Sequence, residues 1–347
     1  MAEVSRLWRG DHAAAVQQAH PRAAPTLTGM AVEKLLLAAP RGYCAGVDRA
    51  VQTVERALEL YGAPVYVRKE IVQNKHVVAQ LRERGAVFVD ELRDEIPEGA
   101  ITVFSAHGVS PTVHADADRR GLRTIDATCP LVTKVHREAI KFASEGYTIV
   151  LIGHAGHEEV EGTMGEAPDR IVLVETEADV EALEVDDPEK LAYISQTTLS
   201  VDETRNIIDR LRERFPAITG PRTDDICYAT TNRQSAVKQM AEKCDLVLVI
   251  GSKNSSNSVR LVQVAREHGA AAHLIDNACE LQDAWLDGVR VVGISSGASA
   301  PEELVGALVQ SFRDRGVEDV SEFEVMREDV RFMLPKAIRQ AMSAAEA

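Results

Sequence analysis

Short runs of apolar residues alternate along the chain with longer segments in which apolar residues recur every three to four positions. The run KLLLAA (34–39), for example, comes before VDRAVQTVERALELYG (47–62), whose apolar side chains fall on one face of a helix. Buried strands that alternate with amphipathic helices are typical of mostly parallel sheets covered by helices. The pattern therefore predicts an α/β fold.

The alternation repeats three times, and a cysteine stands at the start of each unit: Cys44, Cys129 and Cys227. After each cysteine come a helix, three strands that end in polar loops, and a further helix. The third unit lacks a closing strand, and the run that ends at Cys44 supplies it from the front of the chain. We therefore expect three similar α/β domains in a pseudo-threefold trefoil, with the three cysteines converging at its centre.

This repeat divides the chain into an extension, three domains and a tail. The predicted segments are a loosely ordered N-terminal extension (1–31), a strand that completes the third domain (32–44), the first domain (45–129), the second domain (130–227), the third domain (228–316) and a C-terminal tail (317–347).

Polar loop residues also recur in register after each cysteine. One set lies 28 or 29 residues on (Gln73, His157 and Ser255), and a second set follows later in each unit (His107, Thr197 and Ser299). Ligands of open α/β sheets bind beyond the carboxyl ends of the strands. The register therefore predicts two rings of polar side chains around one cavity.

The formal net charge of −15 argues against nucleic acid or an anionic membrane as partner. No apolar run has the length of a membrane span, and the first residues lack the pattern of a secretory signal. The five cysteines show no CxxC spacing, which favours reduced thiols over disulfides. We expect a cytoplasmic protein.

Three convergent thiolates suit an iron–sulfur cluster in which one iron has no protein ligand. Cys244 and Cys279 lie outside the repeat register, and for them we expect packing roles. Zinc is the alternative metal, because the stretch GHAGHEE also offers His154 and His157. The metal decides the class of function: iron permits redox catalysis, whereas zinc would indicate a hydrolase acting on a phosphorylated small molecule.

A third class of function is a non-enzymatic iron–sulfur sensor. Such a sensor needs an output surface, for example a basic helix that reads DNA, and this acidic chain offers none. An enzyme is therefore the favoured interpretation.

Eight segments together resemble one known family: PRGYCAGVDRA, FSAHGVS, DATCPLVTKVH, GHAGHEEVEGTMG, QTTLSVDET, DDICYATTNRQ, GSKNSSNS and GASAP. In this order, across residues 32–335, they are similar to the family of 4-hydroxy-3-methylbut-2-enyl diphosphate reductases. The resemblance implies a trefoil of three α/β domains around one 4Fe–4S cluster with three cysteine ligands and one open iron.

The resemblance also implies a role for each matching residue. The implied metal ligands are Cys44, Cys129 and Cys227. The implied catalytic residues are Glu159 as proton-delivering acid, Thr197 as its hydroxyl partner, and His157. The residues expected to contact the substrate are Gln73, His107, His157, Thr197, Ser255, Ser256, Asn257 and Ser299.

The implied reaction is the reductive dehydroxylation of an allylic diphosphate to isopentenyl and dimethylallyl diphosphates, the last step of the methylerythritol phosphate route. It needs an external one-electron reductant such as ferredoxin or flavodoxin. The sequence departs from the family at Gln73, where the family pattern usually has a histidine. His76 lies three residues on, and its position on the following helix predicts that it points elsewhere.

Overall fold

The computed structural model of the protein describes residues 32–93 and 95–346, so the predicted N-terminal extension lies outside the described residues. Within them, strands and helices alternate from one end to the other. The strands are β1 (Lys34–Ala39), β2 (Val65–Arg68), β3 (Ala86–Val89), β4 (Ile101–Phe104), β5 (Arg123–Asp126), β6 (Thr148–Ile152), β7 (Ile171–Val174), β8 (Leu191–Ser195), β9 (Leu246–Ile250), β10 (Ala271–Ile275), β11 (Val291–Ser296) and β12 (Asp319–Glu324).

The α-helices connect these strands and cover the sheets. They are α1 (Ala45–Tyr61), α2 (Lys75–Glu83), α3 (Pro111–Arg119), α4 (Pro130–Ser144), α5 (Glu158–Met164), α6 (Glu177–Ala182), α7 (Val201–Arg214), α8 (Tyr228–Ala241), α9 (Ser256–Glu267), α10 (Glu302–Arg313) and α11 (Lys336–Glu346).

The strands of the described residues form three separate sheets, with orders β3-β2-β4-β5, β7-β6-β8 and β10-β9-β11-β1-β12. All pairings within these sheets are parallel. Parallel neighbours require crossover connections, which the helices provide, and the strands β6, β8 and β9 are almost completely apolar and buried. The α/β fold class predicted from the sequence is confirmed.

Strand β1 comes from the front of the chain but lies inside the third sheet, between β11 and β12. Leu35 is fully buried there and pairs with Val292 on one side and Val320 on the other. Burial of a leucine side chain contributes about 1.5–3 kcal/mol, so β1 is held firmly in place. The residues just after β1, which carry Cys44, are thereby attached to the third sheet. The exact domain boundaries stay a prediction.

The residues predicted to form a C-terminal tail are packed parts of the fold. Strand β12 pairs with β1 along its whole length. Helix α11 packs on α1, where Ile338 is fully buried in the same apolar core as Val54 and Ala57. Between them, the segment 325–335 passes over the region in which the three sheets meet, because Phe332 lines the central cavity described below.

None of the helices formed by residues 32–93 and 95–346 is long and apolar enough to cross a membrane.

Candidate active site

The three repeat cysteines occupy the same structural position, directly before the first turn of a helix. Cys44 is the N-cap residue of α1, Cys129 that of α4, and Cys227 that of α8. The Cys44 sulfur accepts a hydrogen bond from the Val47 amide, and the Cys227 sulfur accepts one from the Thr230 amide, both at 3.4 Å. The free N–H groups and the dipole of a helix N-terminus favour negative charge, so all three positions suit a thiolate or an anionic group bound to it.

These cysteines line one cavity of about 720 Å³, part of which is open to solvent. Gly46 is the reason that two of the sulfurs can approach each other. A Cβ atom on this residue would lie 2.6 Å from the Cys129 sulfur and 3.8 Å from the Cys44 sulfur. Only a residue without a side chain leaves this space free. The rest of the inner wall is largely apolar: Val47, Val72, Leu131, Val132 and Phe332.

The buried thiols also interact electrostatically. Burial raises the pKa of the Cys129 thiol to about 12, with the nearby charges of Cys44 and Cys227 adding to the effect. Burial likewise raises the pKa of Cys227 to about 11, again with a contribution from Cys44. Three thiolates at these positions therefore need a cation between them. Within the part of the chain that the structure describes, however, no three His, Cys, Asp or Glu side chains are grouped to hold a single metal ion.

Glu159 faces this cavity from the first turn of α5 and is almost completely buried. Its Oε1 accepts the Thr197 amide N–H at 2.7 Å, and its Oε2 lies 3.0 Å from the Thr197 hydroxyl. Burial raises the pKa of Glu159 to about 7, although the hydrogen bonds from Thr197 oppose this. Near neutral pH the carboxyl group can thus both hold and release a proton.

His157 is the N-cap residue of α5, and its environment keeps it neutral. Burial, followed by the charge of His107, lowers the pKa of His157 to about 4. Its Nδ1 accepts the Glu159 amide N–H at 3.2 Å, so the ring proton sits on Nε2. That Nε2 lies 3.4 Å from the side-chain amide of Gln73. The nearer atom is the amide nitrogen Nε2 of Gln73, which would set two donors against each other. We therefore assign the flipped amide, with its oxygen accepting from the ring and its NH₂ group left for a ligand.

The other predicted substrate contacts divide into two groups. His107, Ser255, Asn257 and Ser299 line the cavity together with Gln73 and Thr197. Ser256 does not line it, and its hydroxyl donates to the carbonyl of Thr198 at 3.4 Å. His76 does not line the cavity either, and its Nε2 is buried without a hydrogen-bond partner.

Several residues of the site were not singled out from the sequence. Tyr228 and Thr230 line the cavity, and the Thr230 hydroxyl lies 3.2 Å from the Cys227 sulfur. Both stand in the stretch DDICYATTNRQ, one and three residues after the cysteine, so their spacing on the first turn of a helix could have indicated them. Phe332 lies outside the repeat and gave no such signal.

Comparison with known proteins shows the family of this chain. A family described as LytB protein matches residues 35–313. A protein of Leifsonia xyli subsp. xyli named 4-hydroxy-3-methylbut-2-enyl diphosphate reductase is 60% identical over 309 residues, which are 89% of this chain and 91% of that protein. A protein of the same name from Cutibacterium acnes is 60% identical, with 90% of this chain and 97% of that protein covered. Another, from Rhodococcus opacus, is 61% identical, with 89% of this chain and 92% of that protein covered.

Solved structures agree. The E-1-hydroxy-2-methyl-but-2-enyl-4-diphosphate reductase of Plasmodium falciparum superposes with a TM-score of 0.87 at 38% identity, covering 91% of this chain and all of that one. A second solved structure, described as (E)-4-hydroxy-3-methyl-but-2-enyl diphosphate reductase, the terminal enzyme of the non-mevalonate pathway, has a TM-score of 0.59 at 32% identity, covering 82% of this chain and all of that one. The chain belongs to the LytB family of 4-hydroxy-3-methylbut-2-enyl diphosphate reductases.

Proposed function

We propose that this protein reduces 4-hydroxy-3-methylbut-2-enyl diphosphate to isopentenyl diphosphate and dimethylallyl diphosphate, the last step of the methylerythritol phosphate route. In this reaction the allylic C–O bond breaks and a C–H bond forms. Two electrons and two protons are consumed, and the hydroxyl group leaves as water. The observation that carries the proposal is the position of Glu159. This buried acid faces the same cavity as three thiols and a set of side chains that can donate hydrogen bonds to phosphate.

The donor set fits a 4Fe–4S cluster held by Cys44, Cys129 and Cys227. The three sulfurs face one space, each at a helix N-terminus that favours an anionic group, and they are not grouped around a single ion. The absence of a side chain at Gly46 keeps room between two of them. A cluster bound there supplies electrons one at a time and a Lewis-acidic iron. The reductase family to which the chain belongs disfavours the zinc hydrolase considered as an alternative.

The polar half of the cavity is suited to a diphosphate. The side-chain Nδ2 of Asn257 is buried without a hydrogen-bond partner, so this N–H donor is free to bind an anionic oxygen. Ser255 is the N-cap residue of α9, so the amides of a 12-residue helix begin at the cavity wall. The hydroxyl of Ser299 donates to the main-chain carbonyl of Gln73 at 2.9 Å, which keeps the two loops together.

Glu159 and Thr197 form the proton path. The Thr197 amide donates to Oε1 of Glu159, so in the neutral acid the proton sits on Oε2. The Thr197 hydroxyl, 3.0 Å from Oε2, can accept that proton and donate its own to the leaving oxygen of the substrate. The apolar wall keeps bulk water from competing for it. General acid help of this kind contributes about 10²–10⁴-fold in rate.

The electrons come from an external one-electron donor, such as a ferredoxin or flavodoxin. We propose that the reaction takes place in the cytoplasm, because an odd number of widely separated cysteines without CxxC spacing is typical of proteins from a reducing compartment.

The test is an anaerobic assay of the protein after iron and sulfide have been supplied. Dithionite-reduced methyl viologen serves as one-electron donor, and the two isomeric products are separated and counted. We expect both products, with one equivalent of water released per two electrons. A protein that carries its full complement of iron and sulfide yet forms neither product would contradict the proposal.

A further inference from the structure

A buried ion pair joins the polar half of the cavity to the first turn of α5. The Nδ1 atom of His107 lies 3.3 Å from Oε2 of Glu158, and both side chains are less than one-fifth exposed. The Ser105 hydroxyl donates to the same carboxylate oxygen at 3.4 Å. The ring nitrogen is not aligned for a strong hydrogen bond, so the contact acts mainly through charge.

The direction of this contact determines which ring atom a ligand meets. With Nδ1 turned to Glu158, the Nε2 atom of His107 is the one left for the cavity, which His107 lines. A neutral imidazole that keeps its proton on Nδ1 would present a lone pair there and repel phosphate oxygens. As long as Nδ1 keeps its proton toward the Glu158 carboxylate, only the doubly protonated ring also offers an N–H donor at Nε2.

The surroundings of His107 favour that doubly protonated form. Burial alone lowers the pKa of His107, but contact with Glu158 and the charges of Glu158, Glu159 and Glu70 outweigh it and raise the pKa above its ordinary value of 6.5. Glu158 itself stays ionised: burial opposes this, yet His107 and the nearby Lys69 lower its pKa. Glu158 is therefore unsuited to deliver a proton near neutral pH, in contrast to Glu159.

The pair compensates for a charge that is missing elsewhere in the site. Gln73 is uncharged where the family pattern usually has a histidine, and the ring of His157, 5.7 Å from that of His107, stays neutral. His107 is thus the one of these three side chains that can carry positive charge to a bound anion. We propose that Glu158 is a positioning residue that keeps His107 cationic, with its Nε2–H directed to the diphosphate of the substrate. The inference rests on the proposed function only in taking a diphosphate as the ligand.

The test measures binding rather than turnover, with inorganic diphosphate as the probe and the cluster-loaded protein in a calorimeter between pH 5.5 and 8. The variant is Glu158→Gln, which keeps the shape and removes the charge. Its control is Glu161→Gln, the same change on an exposed residue of the same helix. At each pH, the Kd of a variant is divided by the Kd of the unmodified protein, which cancels the effect that the ionisation of diphosphate itself has on binding.

For Glu158→Gln we expect a Kd ratio near one at the acidic end, where solvent protons keep His107 charged, and a ratio that rises toward about ten as the pH increases and the variant loses this charged donor first. For Glu161→Gln the ratio stays near one throughout. In a His107→Gln background, Glu158→Gln no longer produces a ratio that depends on pH.

A Glu158→Gln ratio that does not change with pH, or one that keeps its pH dependence without His107, would overturn the inference. Either result leaves the proposed reduction untouched, because that is judged by product formation. Conversely, a protein that binds diphosphate as described but forms no product would contradict the proposed function and leave the ion pair's role intact.

Discussion

The guanidinium group of Arg233 donates two hydrogen bonds to the main-chain carbonyl of Gly42, at 2.8 Å from Nη2 and 3.1 Å from Nε. Gly42 has a positive φ of 68°, a conformation that favours glycine, and it stands two residues before Cys44. Arg233 is completely buried and also forms an ion pair with Glu328 at 3.1 Å. One buried cation on α8 therefore fixes both the turn that carries Cys44 and the segment that leads to Phe332.

Replacing Arg233 by methionine should destabilise the protein strongly. The change preserves the apolar stem but removes the donor to the Gly42 carbonyl and, among the residues that the structure describes, leaves the Glu328 carboxylate with only the Asn232 amide. Removing one partner of a buried ion pair costs about 3–5 kcal/mol. We expect a loss of this size in the free energy of unfolding, and a lower iron content after anaerobic reconstitution because the Cys44 turn is no longer held.

Arg327→Met is the matched control. Arg327 lies in the same C-terminal segment and pairs with Glu324, but its side chain is 86% exposed. Exposed pairs contribute about 0–1 kcal/mol, so this variant should unfold like the original protein. Equal stability of the two variants would show that Arg233 does not hold the site together.

The sequence predicted the parts of the fold that repeat. The displaced strand β1 and the common position of the three cysteines follow from hydrophobic runs and polar loops that recur in register. Such signals can be recognised in the sequence because a buried strand must be apolar and a loop at its carboxyl end carries the ligand contacts.

Features that occur once in the chain could not be found in this way. Arg233 stands in a polar run of a helix, where arginine normally faces solvent, and only tertiary contacts show that it is buried. Strand β12 has a half-polar pattern, DVSEFE, because it lies at the edge of its sheet. The pairing of Glu158 with His107 joins residues 51 positions apart, which no local pattern encodes.

The five cysteines should separate into two classes. Serine at position 44, 129 or 227 should deplete the iron and abolish product formation, because thiolate sulfur is the usual ligand of such clusters. Cys244→Ser and Cys279→Ser should leave both nearly unchanged, since Cys244 packs beside Met240 and Gly293 and Cys279 is exposed. Iron and sulfide analysis with the anaerobic assay measures this. An equal loss in all five variants would contradict the role of the repeat.

Glu159→Gln should lower turnover by about 10²-fold or more, while the cluster is retained. The amide preserves the size of the side chain and its contact with the Thr197 amide, but it has no proton to transfer. Glu161→Gln on the same helix is the control, and its turnover rate should equal that of the original protein. If Glu159→Gln reacts at nearly the normal rate, the proton reaches the substrate by another route.

The raised pKa of Glu159 also predicts a pH dependence of stability. The group binds a proton more tightly in the folded protein, with a pKa of about 7 against an ordinary value of 4.5. The contribution of this proton binding to the free energy of unfolding is therefore fully present below about pH 4.5, and it is lost as the pH rises through about 7. Denaturant unfolding of the original protein and of Glu159→Gln should give a difference in stability that changes across this window. A difference that stays constant would mean that Glu159 is ionised throughout.

Gln73→His should strengthen substrate binding most at acidic pH. Gln73 lies at the cavity wall, 3.4 Å from a neutral His157, and its amide can donate to phosphate but carries no charge. A hydrogen bond that involves a charged group contributes about 1.5–3 kcal/mol, and a neutral donor already retains part of that. We therefore expect KM to fall several-fold at mildly acidic pH, where imidazolium is populated, and kcat to change little.

The companion variant His76→Ala shows whether the nearby histidine substitutes for the missing one. His76 lies in the first turn of α2 and does not line the cavity, so its removal should leave KM unchanged, alone or together with Gln73→His. KM and kcat of the three variants are compared between pH 6 and 8. If Gln73→His has no effect on KM at any pH while His76→Ala alone raises KM sharply, then His76 reaches the diphosphate during turnover and Gln73 does not contact it.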